Sequence, residues 1–252
     1  MTYYIDIIDN RNKILFELLK QEHKHVEVFD LTANKFSEND VVVFAPSKKI
    51  DEEYVGFLPE NITLIGGNYS ELIRELLCRK NIKYINLMQD ETFAIKNANL
   101  TCEGVLALII THSQKSIYEN SILILGAGRI AKAMSILLNK IGANYSIASF
   151  NKDSFPQNYI YSKNNYFAYD FVRDLHKFDV IINTIPAEIL DENALNHIAK
   201  DAVFIETAST KCLDESKVNG RFNYILAPAL PQKYTCQTAG KLMLDAVLER
   251  NI

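Results

Sequence analysis

Glycine is scarce in this 252-residue chain. It has nine copies, about half the usual ~7% share, so each remaining one marks a place where the backbone needs freedom or close approach. Cysteine has only four copies, and Cys78, Cys102, Cys212 and Cys236 stand far apart with no C-x-x-C pair. That argues against a disulfide scaffold and suits a reduced compartment. The five histidines lack zinc-ligand spacing, so no metal site is expected. Long apolar runs are missing too, since SILIL at 121–125 falls far short of the ~20 residues that span a bilayer. The N-terminus MTYYIDIID has no basic segment followed by an apolar one. These absences point to a soluble cytoplasmic protein. Nor is positive charge in excess: 27 Lys and Arg stand against 31 Asp and Glu, a net charge of −4. With no basic cluster interleaved with aromatics, neither nucleic acid nor a membrane is the expected partner, and a small molecule is.

What is present is apolar periodicity, on a 48% apolar composition ample for a core. YYIDII at 3–8 reads as a short strand, followed by a helix with Ile14, Leu15, Leu18 and Leu19 on one face. HVEVFDL, VVVFAP, ITLIGG, the helix SELIRELLCRKN and the strand KYINLM follow. Strands alternating with helices imply a mainly parallel sheet covered on both faces. The segment LTCEGVLALIITHSQKS (100–116) is apolar nearly all round and reads as a helix buried between two domains. From Ser121 a second β–α series runs through SILILG, NYSIASF, YFAYDF, DVIINTIP, AVFIETAS and NYILAP to a closing helix. The expected architecture is α/β with two domains: residues 1–96 form a small parallel α/β domain of flavodoxin-like type. Residues 97–120 form an inter-domain helix, and 121–252 a Rossmann domain whose last helix returns to the first domain.

The chemistry-bearing motif begins at Gly126. An apolar strand runs into Gly126, Ala127, Gly128, Arg129, Ile130 and Ala131, then an amphipathic helix, then a second strand. This is the dinucleotide-binding βαβ pattern with Ala in the third small position. Gly126 permits the turn, Gly128 lets a pyrophosphate reach the backbone, and Ala131 lets helix and strand pack closely, with helix N–H groups aimed at the phosphates. An NAD site normally carries an acid where the second strand ends. Here Ser149, Asn151 and Lys152 stand there without one, which favours NADP and leaves NAD as the alternative. Asn183, Thr184, Ile185 and Pro186 end one strand and Ala208, Ser209 and Thr210 follow the next, bordering the expected nicotinamide position, with Pro228 on the far wall. Any one of these alone is equally a turn or cap residue.

At these residues the chain resembles the dipicolinate synthase family, in its A-type subunits. The matching residues are Asn97, Thr101, Glu103 and Gly104; Gly126 and Gly128; Asn183, Thr184, Ile185 and Pro186; Ala208 and Ser209; Pro228, Leu230 and Pro231; and Thr238, Ala239 and Gly240. Asp9 and Arg11 correspond to a family Asp-x-Arg near the N-terminus. Thr210, Lys211, Cys212 and Leu213 stand where the family has a basic residue and Pro-Gly-Gly. Ala229 and Gln232 replace glycines, and Phe150 stands where the family tends to place arginine. The resemblance implies NADP-dependent oxidation of dihydrodipicolinate, from the lysine pathway, to dipicolinate in sporulating bacteria. The partner it implies is the flavoprotein-like, B-type component of dipicolinate synthase, and homo-oligomerisation stays open.

Losing a hydride and a proton turns a dihydropyridine aromatic, so the reaction needs positioning above all. Thr101, Ser209, Thr210, Lys211 and the helix start at Thr238 are candidate donors to the dianionic substrate. Glu103 is either the base or an acid in the first turn of a helix capped by Thr101. His112, nine residues or roughly 13 Å along that helix from Glu103, reads as structural. Two other readings remain: an NAD(P) oxidoreductase acting on another small carboxylate, and a non-catalytic, regulatory dinucleotide-binding protein.

Overall fold

The computed structural model describes residues 1–218 and 220–250, and resolves two compact units. Residues 251 and 252, the end of the expected second domain, lie outside the described residues. One unit comprises residues 1–100 together with the chain from 231 onward; the other comprises residues 101–230.

The first unit is a five-stranded parallel sheet of β1 (Tyr3–Ile5), β2 (Val26–Val28), β3 (Val41–Val43), β4 (Thr63–Gly66) and β5 (Lys83–Asn86), in the order β2-β1-β3-β4-β5. Its helices are α1 (Asn10–Gln21), α2 (Glu52–Phe57) and α3 (Glu71–Arg79), which begin where Asp9, Asp51 and Ser70 accept backbone N–H bonds of the first turn. Every residue of β1, β3 and β4 is buried, as strands covered on both faces require.

The helix read at 100–116 is instead α4 (Glu91–His112). It starts nine residues earlier because the Asp90 carboxylate accepts the Phe93 N–H at 3.0 Å and the Asp90 carbonyl accepts that of Ala94 at 2.8 Å. Thr101 and Glu103 therefore lie in the helix interior, and neither the cap nor the first-turn reading holds. Phe93 and Leu100 enter the core of the first unit, whereas Cys102, Val105, Leu108 and Ile109 enter that of the second. Among the described residues, α4 is the helix long and apolar enough by composition to cross a bilayer, but over half of that stretch is buried within the protein.

The second unit is a six-stranded parallel sheet. Its strands are β6 (Ser121–Leu125), β7 (Asn144–Ser149), β8 (Asn164–Phe167), β9 (Val180–Asn183), β10 (Val203–Glu206) and β11 (Asn223–Leu226), in the order β11-β10-β9-β6-β7-β8. Helices α5 (Arg129–Ile141) and α6 (Glu192–Asn196) flank it, and the short α7 (Leu230–Tyr234) leads to α8 (Cys236–Leu248). The order is that of a doubly wound dinucleotide fold, with its switch point between β6 and β9.

In the first unit α8 lies against α1 so closely that a side chain at Gly240 would overlap Ile14. Its Ala239, Leu242, Met243, Ala246 and Val247 complete a core with Tyr3, Ile5, Leu15 and Leu19. Each buried Leu, Ile, Val or Met side chain among them contributes about 1.5–3 kcal/mol. Ala229 sits at φ +53 just before α7, the left-handed region where glycine is favoured.

Candidate functional site: a dinucleotide edge

Four loops leave one edge of the second sheet, and the ladder continues one residue past each strand. Gly126 N–H donates to Ala148, Thr184 to Leu125, Thr207 to Asn183 and Ala227 to Glu206, all at 2.8–3.0 Å. Gly126, Ser149, Thr184, Ala208 and Pro228 are thereby set along the C-terminal edge, at and around the switch point.

The glycine turn shows why its residues are small. Gly126 has φ +113, and a side chain there would overlap the Thr184 hydroxyl, which donates to the Leu125 carbonyl at 2.8 Å. Gly128 differs: it is exposed, and a Cβ would meet nothing within 4 Å. It forms the N-cap of α5 without a side-chain cap, so the N–H groups that begin α5 keep their capacity for an anion. Ala127 is half-buried and Arg129 exposed beside it, while Ala131 is fully buried where α5 meets the sheet. These residues fit a dinucleotide pyrophosphate, because space and donors coincide at Gly128. The Cys102 thiol lies 3.4 Å from the Ile130 carbonyl, so the α4 segment carrying Thr101 and Glu103 runs beside the first turn of α5. Glu103 is exposed and Thr101 buried.

At the end of β7 the residues separate. Ser149 is only 2% exposed, which removes it from the surface where it was expected to meet a 2′-phosphate. The Asn151 carbonyl oxygen accepts the N–H groups of Asp153 and Ser154, leaving its NH2 as a donor, and Lys152 is exposed. Phe150 packs edge-on against Tyr169 at 5.0 Å. Tyr169 in turn lines a cavity of about 510 Å³ with Val172, Ile189 and Asn193.

The loops after β9 and β10 are governed by two buried groups. Asn183 is 0% exposed; its NH2 donates to the Ile185 carbonyl (2.9 Å) and to Glu206 Oε1 (2.7 Å), and its Oδ1 accepts the Ile185 N–H (3.1 Å). It therefore shapes the loop rather than lining a nicotinamide position. Glu206, 1% exposed, also accepts the N–H groups of Ala208 (3.2 Å) and Cys212 (2.9 Å). Burial, with the adjacent Glu206 carboxylate, pushes the Cys212 thiol far above its ordinary range, so it is no nucleophile. Sequence reasoning missed Glu206; the signal was an acid ending the apolar strand VFIE, opposite Asn183 in register. Ser209, Thr210 and Lys211 form the exposed tip of the loop, where Lys211 pairs with Glu215. Ile185 is half-buried, and Pro186 and Pro228 are exposed. Thr238 lies in the first turn of α8, in the other unit.

This edge is that of a dinucleotide-binding oxidoreductase fold, and residues 106–221 match the NAD-binding domain of the D-isomer specific 2-hydroxyacid dehydrogenases. Beyond that class, the resemblance to the A-type subunits of dipicolinate synthase is borne out. The chain is 21% identical to the A-type dipicolinate synthase polypeptide of Bacillus subtilis (strain 168), over 84% of this chain and 70% of that protein. The crystal structure of its counterpart from the dipicolinate synthase of Bacillus halodurans superposes with a TM-score of 0.81 at 18% identity, covering 99% of this chain and 96% of that one. An NAD-dependent formate dehydrogenase from Staphylococcus aureus, solved in complex with NAD, has the same fold at a TM-score of 0.63 and 14% identity, covering 99% and 94%.

Proposed function

We propose that the chain oxidises dihydrodipicolinate to dipicolinate with NADP, together with a flavoprotein-like second subunit. The observation that carries this reading is the coincidence of an open, donor-lined turn at Gly128 with similarity to a dipicolinate synthase polypeptide along most of the chain. When bound, the dinucleotide supplies the hydride acceptor. The chain's own residues hold and orient: Arg129 and the first amides of α5 take the pyrophosphate, and Thr184, Ile185, Pro186 and Ala208 border the nicotinamide. The Tyr169 cavity beside Phe150 takes the adenine end. Lys152 and the Asn151 NH2 answer a 2′-phosphate, since no acid ends β7. Ser209, Thr210 and Lys211 hold the substrate carboxylates, and Glu103 removes the ring proton.

In a titration NADP binds more tightly than NAD, and Lys152→Ala narrows the difference. With its partner present, the wild type reduces NADP as dipicolinate absorption appears, after subtraction of spontaneous oxidation. Ser209→Ala and Lys211→Ala each raise KM by roughly 10–100-fold, as loss of charge-assisted bonds of ~1.5–3 kcal/mol requires, at constant NADP affinity. Glu103→Gln lowers kcat by roughly 10²–10⁴-fold. The Lys211–Glu215 pair favours a second reading, a regulatory dinucleotide-binding protein. Dinucleotide binding without any NADP-dependent dipicolinate formation would replace the first reading by the second.

A further inference from the structure

The end of the second sheet opposite the dinucleotide edge has a chemistry of its own. Where α5 stops at Gly142 and β7 begins, a cavity of about 400 Å³ opens between that turn and the segment 159–164 that leads into β8. Tyr145, Tyr159, Ile160, Tyr161 and Lys163 are among the residues that line it. Its frame is held from within: the Tyr145 hydroxyl donates to the Tyr161 carbonyl, and the Ser162 hydroxyl accepts the Asn164 N–H at 3.1 Å. The rim is apolar and exposed. Ile160 is 79% exposed and Tyr159 62%, and the Tyr118 ring, 64% exposed, stands 3.9 Å from where a Cβ of Gly142 would be. Single apolar side chains scattered over a surface are ordinary, but three large ones round one cavity mark a place where something docks.

The charge around the cavity has one sign. Lys163 lines it, Lys140 stands two residues before Gly142, and the Lys132 ammonium lies 5.7 Å from the centre of the Tyr161 ring. None of the three makes an ion pair among the described residues, and no Asp or Glu lines the cavity. From residue 130 to residue 169 the chain has four lysines and one acid, Asp153, which belongs to the loop after β7 at the other edge, whereas the whole chain has a net charge of −4. Glu119 follows Tyr118 but lies within electrostatic reach of Lys115, so its charge is answered. A basic face on an acidic chain is complementary to an acidic partner. A ligand that only filled the cavity would leave Ile160, Tyr159 and Tyr118 in water, so the occupant is larger than a metabolite. In addition β8 ends the sheet, and one side of its backbone has no strand partner.

We propose that this face docks a second protein through an acidic segment, one ring or aliphatic side chain of which enters the cavity while its carboxylates meet Lys132, Lys140 and Lys163. The buried anchor supplies most of the affinity, as side chains seated in interface pockets do, and the lysines on the rim set the choice of partner. The surface is independent of the dinucleotide reading, because Gly128 and the loops around it lie at the opposite edge of the sheet.

The test is selection of displayed random short peptides on the immobilised full chain, followed by calorimetric titration of synthetic copies of the enriched sequences. Those sequences should carry net negative charge around one ring or aliphatic residue, and alanine in place of that residue should weaken binding at least about tenfold. Lys163→Glu, which reverses the charge in the cavity, and Ile160→Ser, which removes its most exposed wall, should each weaken binding at least about tenfold as well. Both residues are exposed, so Tm and dinucleotide affinity stay at their wild-type values. Added salt should weaken the wild-type complex. No enrichment, enriched peptides that are basic or uncharged, or equal binding by wild type and both variants overturns the proposal. Sedimentation of the chain alone tests the other occupant: self-association that Ile160→Ser abolishes would make the partner a second copy of this chain and overturn the acidic segment.

Discussion

Gly128→Val gives a folded protein that binds dinucleotide at least about 100-fold more weakly, a loss of about 2.7 kcal/mol, whereas Gly126→Ala damages the fold itself. The two glycines are a residue apart and share a motif, yet their surroundings differ. A Cβ at Gly128 meets no protein atom within 4 Å, so the branched side chain fills only the space that a pyrophosphate needs. At Gly126 the added carbon meets Thr184 at a φ of +113, a conformation that L side chains rarely adopt. Circular dichroism and calorimetric titration separate the two effects. Wild-type affinity in folded Gly128→Val would place the dinucleotide elsewhere.

Glu206→Leu should cost about 3–5 kcal/mol, because it strands three N–H donors at about 1–3 kcal/mol each. The variant leaves one of the two Asn183 Nδ2 protons and the N–H groups of Ala208 and Cys212 without their acceptor, while the other Nδ2 proton keeps the Ile185 carbonyl. At about 2–4 °C per kcal/mol, scanning calorimetry should record a transition roughly 6–20 °C lower. Because Glu206 ties the loop after β10 to the one after β9, the variant should also weaken dinucleotide binding at temperatures where it is still folded. A change below about 2 °C, less than 1 kcal/mol on the same scale, would remove the organising role assigned to this carboxylate.

The contrast between Gly126 and Glu206 shows what a sequence carries. The glycine turn is local: strand, two glycines, a small residue and a helix follow one another, so its backbone is legible along the chain. The strands were legible for the same reason, since those buried on both faces, such as VVV and SILIL, are continuous apolar runs. The start of α4 was not, because ETFAIKNAN presents only Phe93, Ala94 and Ala98 to the interior and its beginning depends on one carboxylate, Asp90. Side-chain direction at the edge was also hidden. Asn183 and Ser149 have the polarity of ligand contacts but turn inward, because a parallel neighbour, Glu206 in the case of Asn183, lies 23 residues away in sequence. The pairing of Asp6 with Lys48 likewise spans two separate strand ends.

The most direct measurement of the central claim follows the hydride. Dihydrodipicolinate deuterated at its saturated ring carbons is incubated with NADP, the chain and the proposed flavoprotein-like partner, and the reduced dinucleotide is analysed by mass spectrometry. Oxidation by this chain places one deuterium in the reduced dinucleotide for each dipicolinate formed, and Gly128→Val suppresses both products together. Dipicolinate that accumulates at the same rate without deuterated dinucleotide, or equally with Gly128→Val, would contradict the account.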